Sequence, residues 1–295
     1  MIAGSFSINQ VVSERPVVDP RWQVRHFVRP GQWMSMSTSP ASVANLEWSL
    51  RVTSAPADQR YDIHEAIGRE VEACLDGPSE VLFHLFVHGS PHPYPASGTF
   101  LGLRGWHGRG HLLRALMEGV VLNHRWHVDA LCSKLPVTGA AARLTGGAAH
   151  SAVWSQMFAD ALRRPVVVTD VQESAARGTA LLAATAVGLL DDVTDPRATA
   201  AVLRRHEPRP DRVAVLDEAY AVYREALEAL GPVWPVWTRP RLRSECRTSR
   251  RHEGSTGIQA RPLLLHGGRH SVVAVRRLGA GAGAGVGRDF HGVRQ

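Results

Sequence analysis

The stretch of sequence that decides the fold runs from Arg143 to Asp170 and reads RLTGGAAHSAVWSQMFADALRRPVVVTD. Residues 141–145 have the pattern of a short strand, and the double glycine Gly146-Gly147 that follows predicts a turn. Residues 151–162 then have the pattern of a helix, and residues 165–169 that of a second strand. A strand, a turn, a helix and a further strand in this order form the building unit of α/β folds.

The turn in this unit is a candidate ligand site. Glycines allow a backbone to approach a ligand without an intervening Cβ. The first turn of the following helix offers unpaired N–H groups and the positive end of a dipole. On this interpretation Gly146 and Gly147 lie against a nucleotide, and Ser151 donates a hydrogen bond to it. A tight turn without a ligand is the alternative, and a bare pair of glycines favours that alternative.

The rest of the chain up to residue 238 continues the alternation of strands and helices. Ser39, followed by Pro40, predicts an N-cap and the start of a helix that runs to Leu50. Apolar residues at helical spacing predict further helices at 62–75, 110–131, 173–190 and 211–230. Extended segments are predicted at 1–7, 22–36 and 80–87, the last as a buried strand. The fold class predicted is α/β, with a sheet largely covered by helices.

The charge divides the chain into a body and a basic tail. The net charge is +7, but residues 239–295 hold twelve arginines against three acidic residues, which leaves −2 for residues 1–238. The Gly-Ala run at 279–287 and the lack of apolar periodicity predict that this tail is disordered. Non-specific binding of nucleic acid by the tail is disfavoured, because no aromatic residues are interleaved with the arginines.

Other bulk features indicate a cytoplasmic protein without membrane contact. No run reaches the roughly 18 apolar residues of a membrane helix, and Met1–Gln10 lacks the blocks of a secretory signal. Three scattered cysteines give neither a disulfide framework nor zinc spacing. The fifteen histidines, including the pairs His84/His88 and His107/His111, are expected in the core or in solvent rather than as metal ligands.

A second candidate site lies near the N-terminus, where Ala3 to Asn9 reads AGSFSIN. A glycine and a hydroxyl after a strand, here Gly4 and Ser5, can hold phosphate oxygens. Taken alone, the segment is more typical of a simple turn.

Taken together, these segments resemble the FGGY family of carbohydrate kinases. That family has, in order, a phosphate loop with a Gly-Thr or Gly-Ser pair, a GAFLGL-like segment, a LEGVAF-like helix end, a GGGAxS adenosine loop and an ESAALGAALLAA-like helix. The corresponding segments here are Gly4-Ser5, GTFLGL at 98–103, LMEGVVL at 116–122, GGAAHS at 146–151 and ESAARGTALLAA at 173–184. The resemblance covers about residues 1–235 and concerns the C-terminal, nucleotide-side domain. Within the family, the sequence resembles most the pentulose and sugar-alcohol kinases, such as xylulose kinase.

The resemblance implies an actin-like ATPase (ribonuclease H-like) domain with a mixed sheet flanked by helices. It implies binding of ATP and Mg²⁺, and transfer of the γ-phosphoryl group to a hydroxyl of a sugar or polyol. The site residues that it implies are Gly4 and Ser5 for the terminal phosphates, Gly146, Gly147 and Ser151 for the adenosine pocket, and Glu47 beside the nucleotide.

The sequence also departs from the family pattern. Ala148 replaces a common third glycine, so we expect a methyl group near the base or ribose, and Arg177 stands where an apolar residue is usual. The family's catalytic aspartate lies in a motif before the phosphate loop, and none of the nearby aspartates matches it: Asp19, Asp58, Asp62 or Asp76.

We therefore assign no catalytic residue and no metal ligand. We expect a truncated kinase that lacks the N-terminal, sugar-binding domain and is inactive alone. Its sequence is compatible with assembly as a homodimer. The alternative is a non-catalytic nucleotide-binding fragment with a basic tail.

Overall fold

The computed structural model describes residues 1–40, 42–53, 63–92, 95–137, 141–171 and 173–237. All of them belong to one unit, Met1–Arg243. The basic tail predicted at 239–295, and the domain boundary placed near residue 238, lie outside the described residues.

Nine strands form three hydrogen-bonded groups in the described part of the chain. The strands are β1 (Ile2–Ala3), β2 (Ser7–Ser13), β3 (Gln23–His26), β4 (Trp33–Ser39), β5 (Leu82–His84), β6 (Thr99–Leu101), β7 (Ala142–Leu144), β8 (Val166–Thr169) and β9 (Val202–His206). The first group is antiparallel, in the order β1-β2-β4-β3, and β5 pairs with β6. In the third group β7 and β8 are parallel, and β9 joins β8 antiparallel.

One short contact joins the first group to the third. Ile2 and Thr145 form a parallel bridge, and the N–H of Ala3 donates to the Thr145 carbonyl at 2.9 Å. The N–H of Thr145 donates in turn to the Met1 carbonyl at 3.0 Å. Strands from both groups therefore form one mixed layer, as the sequence predicts, with the parallel strands β1, β7 and β8 side by side.

Seven helices are described: α1 (Ala44–Thr53), α2 (Ile63–Glu72), α3 (Arg109–Cys132), α4 (Ala152–Leu162), α5 (Ser174–Ala186), α6 (Pro210–Ala229) and α7 (Trp234–Trp237). The 24-residue helix α3 is central, because it packs against β2, β4, β5 and the helices α1, α2 and α4. None of the described helices combines the length and apolar character needed to cross a bilayer.

Helix α3 buries polar as well as apolar side chains. Glu118 is 3% exposed, and its carboxylate accepts a hydrogen bond from Arg114 Nε at 2.9 Å. Arg212 on α6 lies 3.8 Å from the same carboxylate, so a buried charge is shared by two guanidinium groups. Such pairing is needed because an unpaired buried carboxylate is strongly destabilising.

Two predicted elements differ in the structure. Ser39 is the last residue of β4 and not a helix N-cap, since α1 begins at Ala44. The predicted extended segment 22–36 covers only the first half of β4; because alternate residues of this strand are buried serines, no alternating apolar pattern extended the prediction to Ser39. The buried strand predicted at 80–87 is confined to Leu82–His84, and Phe86–His88 form a 3-10 turn.

Candidate functional site

The candidate site lies where three parallel strands end. Gly4 follows β1, Thr145 and Gly146 follow β7, and Asp170 follows β8. In open α/β sheets the crevice outside the carboxyl ends of the strands is the usual position of ligands. The two glycine segments singled out from the sequence therefore emerge at the same edge of the sheet.

Gly146 lies directly against the first glycine segment. Its φ is +91°, and a Cβ built on it would lie 2.6 Å from the Ala3 carbonyl oxygen and 2.9 Å from the Gly4 nitrogen. Both the backbone conformation and the contact require glycine at this position. The structure thus brings the predicted adenosine loop and the predicted phosphate loop into contact.

The start of α1 completes this arrangement. The N–H of Val43 donates to the Gly4 carbonyl at 2.8 Å, and a Cβ on Gly147 would meet the Val43 side chain at 3.3 Å. Glu47 lies one turn further along α1 and is exposed. Ser5 is exposed and can face a ligand in solvent, and Gly4 next to it is half-buried and has an ordinary φ.

Ser151 is the N-cap of α4, and its Oγ accepts a hydrogen bond from the Trp154 N–H at 3.2 Å. A hydroxyl that accepts one hydrogen bond can still donate another, so this role leaves its hydrogen available to a ligand. Ala148 is fully buried. Its methyl group belongs to the core, and the expectation that this methyl lies beside a ligand is wrong.

Two adjoining cavities open at the same strand ends. One of about 120 Å³ is lined by Gly146, His150 and Asp170 among others, and one of about 360 Å³ contains Arg177. Thr145, Thr169 and Val171 line both. The Arg177 guanidinium donates to the Ala198 carbonyl at 2.9 Å, which explains how a charged residue is accommodated on this face of α5.

Of the four aspartates compared with the family motif, Asp19 and Asp76 lie in the described part of the chain. The Asp19 carboxylate accepts hydrogen bonds from the Arg21 guanidinium and lies 2.8 Å from Lys134 Nζ, and these partners hold the pKa of its carboxyl far below the usual range. Asp58 and Asp62 lie outside the described residues. Within the described ranges no three His, Cys, Asp or Glu side chains cluster as metal ligands.

A set of buried polar residues beneath the site was not found from the sequence. Ser7, Asn9, Ser42 and His124 are all inaccessible to solvent and are joined by hydrogen bonds. His124 lies on the inward stripe of α3, where a histidine is ordinarily a packing residue. The signal that was available is the run of three polar residues Asn123, His124 and Arg125, which directly follows the apolar run Val120–Leu122.

Comparison with known proteins places this domain among sugar kinases. A sequence model of the FGGY family of carbohydrate kinases, C-terminal domain, matches residues 3–187. The L-xylulose/3-keto-L-gulonate kinase of Escherichia coli (strain K12) is 29% identical over 209 residues, which are 69% of this chain and 40% of that protein. The erythritol kinase of Brucella abortus (strain 2308) is 28% identical over 222 residues, 70% of this chain and 41% of its own.

The solved structures agree with the sequence matches. The xylulose kinase from Rhodospirillum rubrum is similar with a TM-score of 0.68 and 28% identity, over 79% of this chain and 47% of that chain. The chain thus spans about 40% of the length of the curated relatives it matches.

Proposed function

Because the chain belongs to the FGGY family of carbohydrate kinases, we propose that residues 1–237 form the nucleotide-binding domain of an ATP-dependent carbohydrate kinase. The domain has the actin-like ATPase fold of the solved family members. The reaction would transfer the γ-phosphoryl group of ATP to a hydroxyl of a sugar or sugar alcohol. The observation that carries the proposal is the meeting of Gly4, Val43, Gly146 and Gly147 at the ends of parallel strands.

The proposed roles follow from position. Ser5 is exposed in the bend after β1, so its hydroxyl group would be available to the terminal phosphates. The Gly4 N–H donates to the Phe6 carbonyl at 3.3 Å, so Gly4 would contribute the close approach that a residue without a side chain allows. Gly146 and Gly147 begin the loop that would face the adenosine, with Ser151 contributing its hydroxyl hydrogen. Glu47, which is exposed on α1, would border the nucleotide from the neighbouring wall.

The residues at the proposed site fit a nucleotide with its bound Mg²⁺ better than they fit a metal ion coordinated only by protein side chains. Mg²⁺ usually keeps several waters and is bound through substrate phosphates with few carboxylates. The lack of an acidic cluster among the described residues is compatible with this mode. Mg²⁺ bound with ATP would neutralise charge that develops on the transferred group.

We further propose that this chain alone does not phosphorylate a sugar. The proposal is supported by the absence of the family's aspartate motif from the sequence and by the engagement of Asp19 with Arg21 and Lys134. Loss of a general base lowers a rate by roughly 10²- to 10⁴-fold. ADP release from ATP should therefore not increase when L-xylulose, gluconate, glycerol or erythritol is added, and sugar-dependent release at ordinary kinase rates would contradict this.

The nucleotide assignment is tested by isothermal titration of the purified chain with MgATP. Gly4→Val places a branched side chain in the bend, and the space around a Cβ at Gly4 is open, with Ile2 Cγ2 4.0 Å away. We expect the parent chain to bind MgATP and Gly4→Val to lose at least tenfold in affinity while keeping its melting temperature.

Gly105→Val is the matched control, because Gly105 is exposed, has an ordinary φ and has nothing within 4 Å of a built Cβ. It should bind MgATP as the parent does. Unchanged binding by a folded Gly4→Val, or no binding by the parent chain, would show that the assignment is wrong.

A further inference from the structure

The His124 imidazole is enclosed between three elements of the fold. It is fully buried on α3, its Nδ1 lies 2.8 Å from Asn9 Oδ1 on β2, and its Nε2 lies 3.3 Å from Ser42 Oγ before α1. The Asn9 amide donates to Ser7 Oγ and to the Ser37 carbonyl, so its Oδ1 is the acceptor. His124 must therefore donate from Nδ1 and accept the Ser42 hydroxyl hydrogen at Nε2.

The three hydrogen-bond partners of this ring, Ser7, Asn9 and Ser42, lie next to the bend Gly4–Phe6. Ser7 and Asn9 belong to β2, the strand that leaves the bend Gly4–Phe6. Ser42 immediately precedes Val43, whose N–H holds the Gly4 carbonyl at 2.8 Å. The His124 side chain thus connects the strand after the bend to Ser42, the neighbour of the residue whose N–H holds the bend.

The same helix provides a second histidine that lacks this connection. His127 is 1% exposed, and its Nδ1 lies 2.7 Å from Ser37 Oγ in the middle of β4. Ser37 uses its hydroxyl hydrogen on the Arg21 carbonyl, so His127 is also the donor. The two histidines are alike in burial and in donating from Nδ1, but the buried His127 Nε2 has no hydrogen-bond partner among the described residues, whereas His124 Nε2 bonds to Ser42.

We propose that His124 is a positioning residue that holds the Gly4–Ser5 bend against the start of α1, in the arrangement that receives the terminal phosphates of the nucleotide. The inference rests on the proposed nucleotide binding. Substitution of a residue that only packs the core would lower stability and would affect the affinity of ligands with and without terminal phosphates alike. Substitution of a residue that positions the bend should weaken the affinity for ligands with terminal phosphates and leave the affinity for adenosine unchanged.

The test compares His124→Leu with His127→Leu in the full chain, since each removes a buried imidazole from the same helix. Affinities for MgATP, MgADP and adenosine are measured by isothermal titration at one pH. We expect His124→Leu to weaken MgATP and MgADP about tenfold, which corresponds to about 1.4 kcal/mol, and to change adenosine affinity less than twofold. His127→Leu should bind all three as the parent does.

A second pair of variants keeps the test decisive if His124→Leu fails to fold. Ser42→Ala removes only the hydrogen bond between His124 and Ser42, the residue two positions before α1. His124→Asn keeps a hydrogen-bond donor near the Nδ1 position but loses the same hydrogen bond to Ser42. Both should show the same selective loss for phosphate-bearing ligands. Equal effects of the His124 and His127 variants, or equal losses for MgATP and adenosine, would overturn the proposal.

Amide hydrogen exchange separates this inference from the proposed function. In the ligand-free chain the Val43 N–H should exchange at least tenfold faster in His124→Leu and Ser42→Ala than in His127→Leu. Failure of the parent to bind MgATP would count against the nucleotide assignment, whereas unchanged exchange at Val43 would count against the role of His124.

Discussion

Replacement of Gly146 by alanine is the sharpest test of how the two glycine segments meet. Gly146 has φ +91° and ψ −173°, a backbone region that essentially only glycine adopts, so a non-glycine residue there carries a conformational cost of roughly 1–3 kcal/mol. The added Cβ would lie 2.6 Å from the Ala3 oxygen, 2.7 Å from the Ala3 carbonyl carbon and 2.9 Å from the Gly4 nitrogen. These are backbone atoms that cannot rotate away, and overpacking of this kind costs roughly 1–3 kcal/mol. We therefore expect Gly146→Ala to lower the free energy of unfolding by about 3 kcal/mol or more.

The two contributions can be separated with a control glycine. Gly31 has a φ of +78° but nothing within 4 Å of a built Cβ, so Gly31→Ala should cost only the conformational part, about 1 kcal/mol. Urea unfolding followed by circular dichroism gives both values from the transition midpoints. If Gly146→Ala is no more destabilising than Gly31→Ala, the described contact between the loops is wrong.

Two further predictions concern buried ionisable groups. Burial, and then the nearby His92, lower the pKa of His127 to about 3 from an ordinary value of 6.5. Since the unfolded chain protonates this ring at a higher pH than the folded chain does, the free energy of unfolding should fall as the pH drops below 6.5, by at most about 1.4 kcal/mol per pH unit. Urea unfolding at pH 7, 6 and 5 should show a weaker pH dependence of this free energy for His127→Leu than for the parent chain. The same pH dependence in both would contradict the assignment. Asp160 is 1% exposed and accepts hydrogen bonds from the N–H of Arg209 at 2.8 Å and from its guanidinium at 2.7 Å. Asp160→Ala should lower the unfolding free energy by about 2 kcal/mol, less than a fully buried pair because Arg209 can reach water, and Asp160→Asn, which keeps one acceptor, should lose less.

Helices were predicted well from the sequence because their apolar spacing is regular. The predicted helices at 110–131, 151–162 and 211–230 correspond closely to α3, α4 and α6. Strand β2 was missed because its buried positions near the bend are Ser7 and Asn9, which look polar in a linear pattern. Such residues become recognisable as core only when their hydrogen-bond partners on α3 are known.

For the candidate site, the sequence identified residues but not their arrangement. Gly4 and Gly146 were singled out by resemblance, yet their contact depends on strand pairing between distant parts of the chain. Which glycine of the pair needs its special backbone was also beyond the sequence, since Gly146 has the positive φ and Gly147 does not. The nucleotide contacts of these residues remain predictions.

The parallel bridge between Ile2 and Thr145 has a consequence for the thermodynamics of ligand binding. Adjacent strands are separated by about 4.8 Å, a distance that hydrogen bonds hold nearly constant. The two loops that leave β1 and β7 therefore start from a common rigid base, and a ligand that touches both need not bring them together. Little conformational entropy is lost at that step, so more of the contact energy remains as affinity.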